Sequence, residues 1–377
     1  MTLHPSLSLL LHLTLILPTT AAALSIQAAS PPALLHPNAV YPRANAFHNL
    51  SSPTPDKPLI LASYTSLFPP GGHKTLSTSI SRDGGKSWRF LSDIWTANAT
   101  THDIDNAYPL QLPNGHILVA FRNHDIGALT GEYVYYRITI CLSTDYGQSW
   151  EFLSHASERW AAGRNSKNGL WEPLLRADRR GRVQVYYSSE RGAGRQDNVV
   201  RVSDDLGRTW GDEVVVSTRE GARDGMMGVV EVVVPGGGEG RLVCVFETTE
   251  EDGRFAVEAV ESLDDGGSWG EEGRRRVYTV KKGKDAGAPQ VVSVGGWLVG
   301  SFMTNEGVDG GEGEGVDGGE MKIVISKDGG RSWDGAAVAA GRGSHWPGLY
   351  QLDDRRFLGL YSADGVGAVS RIFEIDD

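Results

Sequence analysis

Short stretches in which apolar and polar residues alternate recur along the chain in pairs, each pair joined by a polar turn. Six such pairs run Tyr41-Pro42 to Tyr64, Tyr108-Pro109 to Phe121, Glu172-Pro173 to Tyr187, Met226-Met227 to Phe246, Ala288-Pro289 to Phe302 and Trp346-Pro347 to Tyr361. Each opens on an entry dipeptide, usually ending in Pro, and closes on an aromatic ring. A period of two residues is that of a strand with one face covered. Turn residues between the members, such as Pro113-Asn114-Gly115 and Arg180-Gly181, predict hairpins. Met227 departs from the pattern, standing where the other five pairs carry Pro.

Between the hairpins an octet, Ser-x-Asp-x-Gly-x-Ser/Thr-Trp, appears five times: Ser81–Trp88, Ser143–Trp150, Ser203–Trp210, Ser262–Trp269 and Ser326–Trp333. The starts fall 62, 60, 59 and 64 residues apart, a period that marks a repeat architecture. In each octet the Asp and Ser side chains suit a tight turn, the Gly supplies positive φ, and the Trp offers a large apolar ring. Hairpins and octets together predict an all-β fold, a six-bladed β-propeller built on the octet repeat. The sixth blade has no octet. The segment around Ala33–Tyr41 is expected to complete its sheet, closing the ring and removing free edges.

Length alone would allow two domains, but equal units in a ring make one. The chain opens with an apolar run, Leu7 to Leu17, followed by Pro18-Thr19-Thr20-Ala21-Ala22-Ala23. That pattern reads as a secretory signal over 1–23, leaving 24–377 as one propeller, secreted and extracellular. No later segment is apolar enough to span a bilayer. Asn49-Leu-Ser51 and Asn98-Ala-Thr100 are glycosylation sequons. A net charge of −11 argues against a nucleic-acid partner. Cys141 and Cys244 lie two repeat units apart and are expected as buried free thiols. Gly236–Gly240 reads as a hairpin tip, and Glu306–Glu320 as a flexible acidic insertion without an assigned function. A monomer is expected.

In a four-stranded blade the first strand lines the central channel. The start of strand one and the end of strand two then share one face of the disc, while the octets lie on the other. Two carboxylates stand out at that mouth. Glu172 enters blade three and Glu247 ends the second strand of blade four. Glycoside hydrolysis needs such a pair, one to protonate the leaving oxygen and one to attack or to activate water. A separation of about 5–5.5 Å would indicate retention, and about 6.5–9.5 Å inversion. Arg122, in Phe121-Arg122-Asn123-His124-Asp125, could bind substrate or orient a glutamate. It could equally belong to a structural ion pair, and Arg43 carries the same ambiguity. Asn106, His124 and Met226 complete the expected substrate-binding set. Trp171, Trp346 and Tyr361 are candidate sugar platforms, though rings between blades also serve packing. The ten His residues show no ligand spacing, so neither metal nor cofactor is expected.

The octets resemble the Asp-box (BNR) repeat of sialidase-like β-propellers. Four further stretches resemble the fungal exo-arabinanases of glycoside hydrolase family 93. They are Asn106-Ala-Tyr-Pro109 through Asp125, Gly169-Leu-Trp171-Glu172-Pro173 through Glu190, Asp224-Gly225-Met226 through Glu247, and His345-Trp346-Pro347-Gly348. The resemblance implies release of arabinobiose from the non-reducing end of α-1,5-linked arabinan, with retention. It maps the catalytic pair onto Glu172, taken as nucleophile, and Glu247, taken as acid/base. The insertion after Glu306 departs from the pattern and puts the blade-five rim in doubt. Two rival readings stand beside it. A sialidase would use a Tyr nucleophile and three Arg, but this chain has Tyr41-Pro42-Arg43 in place of an Arg-Ile-Pro opening. A non-catalytic sugar-binding propeller would lack a carboxylate pair at catalytic distance.

Overall fold

A computed structural model describes residues 25–376 except 49–58, 68–71, 165, 234–239, 250–252, 309–315 and 317. The proposed signal segment, the Asn49 sequon and nearly all of the Gly236–Gly240 tip lie outside the described residues. Six antiparallel sheets follow one another along the chain. Blade one uses Ala39–Phe47, Leu59–Leu67, His73–Ser81 and Arg89–Asn98; blade two uses His102–Gln111, Ile117–Ile126, Tyr133–Ser143 and Glu151–Trp160. Blade three runs Leu170–Ala177, Val183–Glu190, Gln196–Ser203 and Val214–Ser217, and blade four Asp224–Glu231, Leu242–Thr249, Phe255–Ser262 and Gly270–Tyr278. Blade five comprises Ala286–Val294, Trp297–Thr304, Glu320–Ser326 and Asp334–Ala340. The first strands pack successively on one another, and that of blade six, Ser344–Gln351, returns to that of blade one.

Blade six adds Arg356–Ala363 and Gly367–Asp376, and its outer layer comes from the other end of the chain. Ala33–Pro37 and Ser25–Ala28 both pair with Gly367–Asp376. The closure expected of Ala33–Tyr41 is therefore made by its first part, whereas Tyr41 already belongs to blade one.

The octets form the turns between strands three and four. In the first, Ser81 Oγ donates to Asp83 Oδ1 and accepts the Gly85 N–H, each at 2.8 Å. Asp83 Oδ1 also accepts the N–H groups of Lys86 and Ser87. Such bonds hold Asp83, Asp145, Asp205, Asp264 and Asp328 below the usual carboxylate range, against the opposing effect of burial. Three of the Trp rings also tie blades together. The indole N–H of Trp150 donates to Ser92 Oγ of blade one, and Trp210 does the same to Ser154 of blade two. Trp88 closes the ring through Ser370 of blade six. Cys141 and Cys244 are free and buried.

Of the Glu306–Glu320 segment, 309–315 and 317 lie outside the described residues, and its first residue is anchored. Glu306 is 8 % exposed, accepts the Tyr278 hydroxyl at 2.7 Å and the Lys281 N–H at 2.6 Å, and pairs with Lys322. A buried carboxylate needs such partners. Val316 packs beside Met226, Ala288 and Met303. Among the described residues no helix is long and apolar enough to cross a membrane.

Candidate active site

Each first strand breaks its ladder at one residue with left-handed backbone. These are Tyr41 (φ 53°), Asn106 (57°), Glu172 (43°), Met226 (48°), Ala288 (51°) and Trp346 (50°). Each coincides with a register shift. Non-glycine residues pay about 1–3 kcal/mol for this conformation, and six equivalent copies show that the architecture enforces it. The following residue is Pro in four blades, Ala107 in blade two and Met227 in blade four. The blade-two entry therefore lies two residues before Tyr108-Pro109, and Met227 is not the lone exception to Pro. The counterpart of Glu172 in blade one is Tyr41, not Arg43.

Glu172 lines a small cavity at the channel mouth together with Arg43, Asn106, Tyr108, Met226 and Gln290. Glu247 stands opposite Gly225 in its own blade and reaches blade five, where Oε2 accepts the Ala288 N–H at 2.7 Å. Gly287 makes room for it, since a Cβ there would lie 2.6 Å from Oε2. Burial pushes the Glu172 carboxyl up to about 7. Arg122 opposes the rise, and the Glu247 charge adds to it. Burial also raises Glu247, against the Ala288 N–H and Arg223.

Arg122 is held rather than free. Its Nη2 lies 3.2 Å from Asp103 and 3.4 Å from Asp105, and its guanidinium sits 5.4 Å over the Trp171 ring. Lys74 at 2.6 Å and the Tyr133 hydroxyl at 2.7 Å also bind Asp103. These cations keep Asp103 well below the ordinary range despite burial. Arg43 donates Nη1 to the carbonyls of Pro42 and Trp346 at 2.9 and 3.0 Å. Tyr41 stacks on Trp346 with centroids 4.1 Å apart. Around that stack Met226, Ala288 and Met303 form an apolar patch. Asn106 is buried with its Oδ1 unpartnered.

Two expected substrate contacts are corrected. His124 is fully buried, edge-on to Tyr133, Tyr136 and Trp171. Burial, with Arg122 adding, lowers it to about 3, so it is a neutral prop beneath Trp171. Tyr361 is 5 % exposed within the packed cluster of blades five and six. Strand alternation turned both rings inward. Sequence reasoning missed Tyr41, although Tyr41-Pro42 aligns with Glu172-Pro173 and Trp346-Pro347. It also missed the Asp103/Asp105 pair, whose alternate spacing before Asn106 was the available signal. Glu190 is buried, accepts the Gly169 N–H at 2.8 Å and lies 3.6 Å from Arg223. Among the described residues no three His, Cys, Asp or Glu are grouped to hold a metal.

A ring of six sheets, five of four strands and one of five, with Asp boxes in five of them and acidic residues at the channel mouth, defines a six-bladed Asp-box propeller. The chain belongs to the BNR repeat-like domain family, whose model matches residues 72–355. Solved structures share this fold. A Penicillium chrysogenum α-L-arabinanase complexed with arabinobiose is 21 % identical, with 90 % of this chain and 94 % of that one covered at a TM-score of 0.65. The family 93 α-L-arabinofuranosidase of Fusarium graminearum with arabinobiose is 18 % identical, with 89 % and 92 % covered at 0.64. A Trypanosoma rangeli sialidase is 12 % identical, with 94 % of this chain and 60 % of that one covered at 0.57. Among curated proteins, none matches this sequence.

Proposed function

We propose that this protein is a secreted glycoside hydrolase that releases arabinobiose from the non-reducing end of α-1,5-linked arabinan with retention of configuration. The observation that carries the reading is the pair Glu172 and Glu247, given by a first strand and a second strand of adjacent blades, with the Glu247 charge adding to the rise of Glu172. In this mechanism Glu172 attacks the anomeric carbon while Glu247 protonates the leaving oxygen. Glu247 then takes a proton from the water that releases the sugar. The active form of the pair holds one proton. Burial of both carboxyls keeps that proton in place toward neutral pH.

The surroundings favour a neutral sugar over a sialic acid. Arg122 is already matched by Asp103 and Asp105, and Arg43 is buried against backbone carbonyls. Burial and the Asp105 charge hold the Tyr41 hydroxyl protonated, which disfavours a tyrosinate nucleophile. The likeness to an α-L-arabinanase and an α-L-arabinofuranosidase, each solved with arabinobiose, supports arabinan as the polymer. The test is product analysis with purified protein on linear arabinan, branched arabinan and a sialyl substrate. Arabinobiose as the sole product from the linear polymer supports the proposal. Sialic acid release would reassign the substrate, and no turnover of any of the three would favour a sugar-binding role.

A further inference from the structure

Blade two carries a second surface suited to sugars. Its fourth strand contains two bulges, between Phe152 and Ser154 and between His155 and Ser157. They bring Phe152, His155, Glu158 and Trp160 opposite Cys141, Thr139, Arg137 and Tyr135, so all eight share one face. That face looks toward blade one, whose Trp95 packs against Phe121 with centroids 6.0 Å apart. Blade one leaves its outer part uncovered. Trp160 is 73 % exposed and Phe152 50 %. From Cys141 to Tyr135 the strip is six residues, roughly 20 Å at about 3.3 Å per residue.

The rings at the two ends are braced for contact. Trp160 meets Tyr135 at 4.6 Å, Arg137 lies 5.1 Å over Tyr135, and Phe152 meets His155 at 4.8 Å. Between them opens a groove of about 530 Å³, lined by Trp95, Asn123, Asp125, Arg137, Phe152 and His155. Asn123 is 5 % exposed, and its Oδ1 has no hydrogen-bond partner. The strip holds no surplus positive charge. Arg137 pairs with Asp125, and Glu158 accepts the Tyr135 hydroxyl at 2.9 Å. A nucleic acid or an acidic peptide would want surplus cation, which this strip lacks. Exposed rings with fixed amide, carboxylate and guanidinium groups between them suit a neutral chain with apolar ring faces and many hydroxyls. The strip is separate from the active site, because Arg122 and His124 project from the same strand toward Trp171 of blade three.

We propose that this face is a second polysaccharide-binding site, holding neutral polymer on the enzyme away from the channel. The identity of the polymer as arabinan rests on the proposed function; the site itself does not. The experiment is electrophoresis of the full chain through gels containing soluble arabinan or other neutral plant polysaccharides, paired with kinetics. Wild type is expected to be retarded, and Phe152→Ala/Trp160→Ala to bind about tenfold more weakly. The double variant should keep kcat/KM on short oligosaccharides within about twofold while losing rate on dilute polymer. Glu172→Ala should migrate as wild type does. Retardation that needs Phe152 and Trp160, in a protein that does not cleave arabinan, would uphold this site while defeating the catalytic reading. No retardation of wild type in any of the gels, or equal retardation of the double variant, would overturn the inference.

Discussion

Glu247 of blade four is fixed by the backbone of blade five, its Oε2 accepting the Ala288 N–H at 2.7 Å. The left-handed turn that aims this N–H at the carboxylate is the one that, two blades earlier, carries Glu172 itself. One repeated backbone device thus positions both acids.

Gly287 gives the sharpest steric test. A methyl group there would meet Glu247 Oε2 at 2.6 Å, so the carboxylate must swing away from its place. Gly287→Ala should lower kcat about 10²-fold with little change in KM. Circular dichroism should show an intact fold.

The pH profile follows from the coupled acids. Because the nucleophile Glu172 is raised to about 7 and must be ionised to attack, kcat/KM should climb as pH rises toward about 7. The alkaline limb, where Glu247 loses the proton it donates, should also lie above the ordinary glutamate value of about 4.3, since Glu247 is raised too. A flat profile from pH 4 to 9 would contradict the pairing.

Stability should move the opposite way at this site. A group whose folded pKa is raised contributes stability below its unfolded value, lost as pH rises through the folded one. Glu172→Gln should therefore stabilise the protein at pH 8, by about 1 kcal/mol, and give no gain at pH 4. Thermal melts at the two pH values check the sign.

Arg122→Met should leave Asp103 and Asp105 with only Lys74 as cation. Losing one partner of a buried ionic network costs about 3 kcal/mol. The same change removes a charge that opposes protonation of Glu172, so the acid limb should shift upward. Denaturant titration and the pH profile read the two effects separately.

Asp205→Ala tests the octets on the far face. It removes the acceptor of the Arg208 and Thr209 N–H groups, at a cost of about 1–2 kcal/mol. Turnover should be unchanged.

The blades were legible because their signals are local. An alternating strand, a turn and an octet each occupy fewer than twenty residues, and they repeat. Glu172 and Glu247 were legible for the same reason, since counting along two hairpins places both at one mouth. The bulges were not, because a register shift is a property of two strands and leaves no mark in one. That is why Tyr41 was passed over for Arg43 and the blade-two entry was set at Tyr108. The burial of His124 and Tyr361 likewise depends on which neighbouring blade covers each ring. Glu306 looked like part of a loose acidic run because its partners, Tyr278 and Lys322, come from other strands.

Turnover of linear arabinan by wild type, Glu172→Ala and Glu247→Ala, with and without azide, tests the central claim most directly. Both variants should remain folded and lose activity by about 10³-fold or more, with azide restoring one of them through a glycosyl azide product. Activity in either variant within a few fold of wild type would contradict the account.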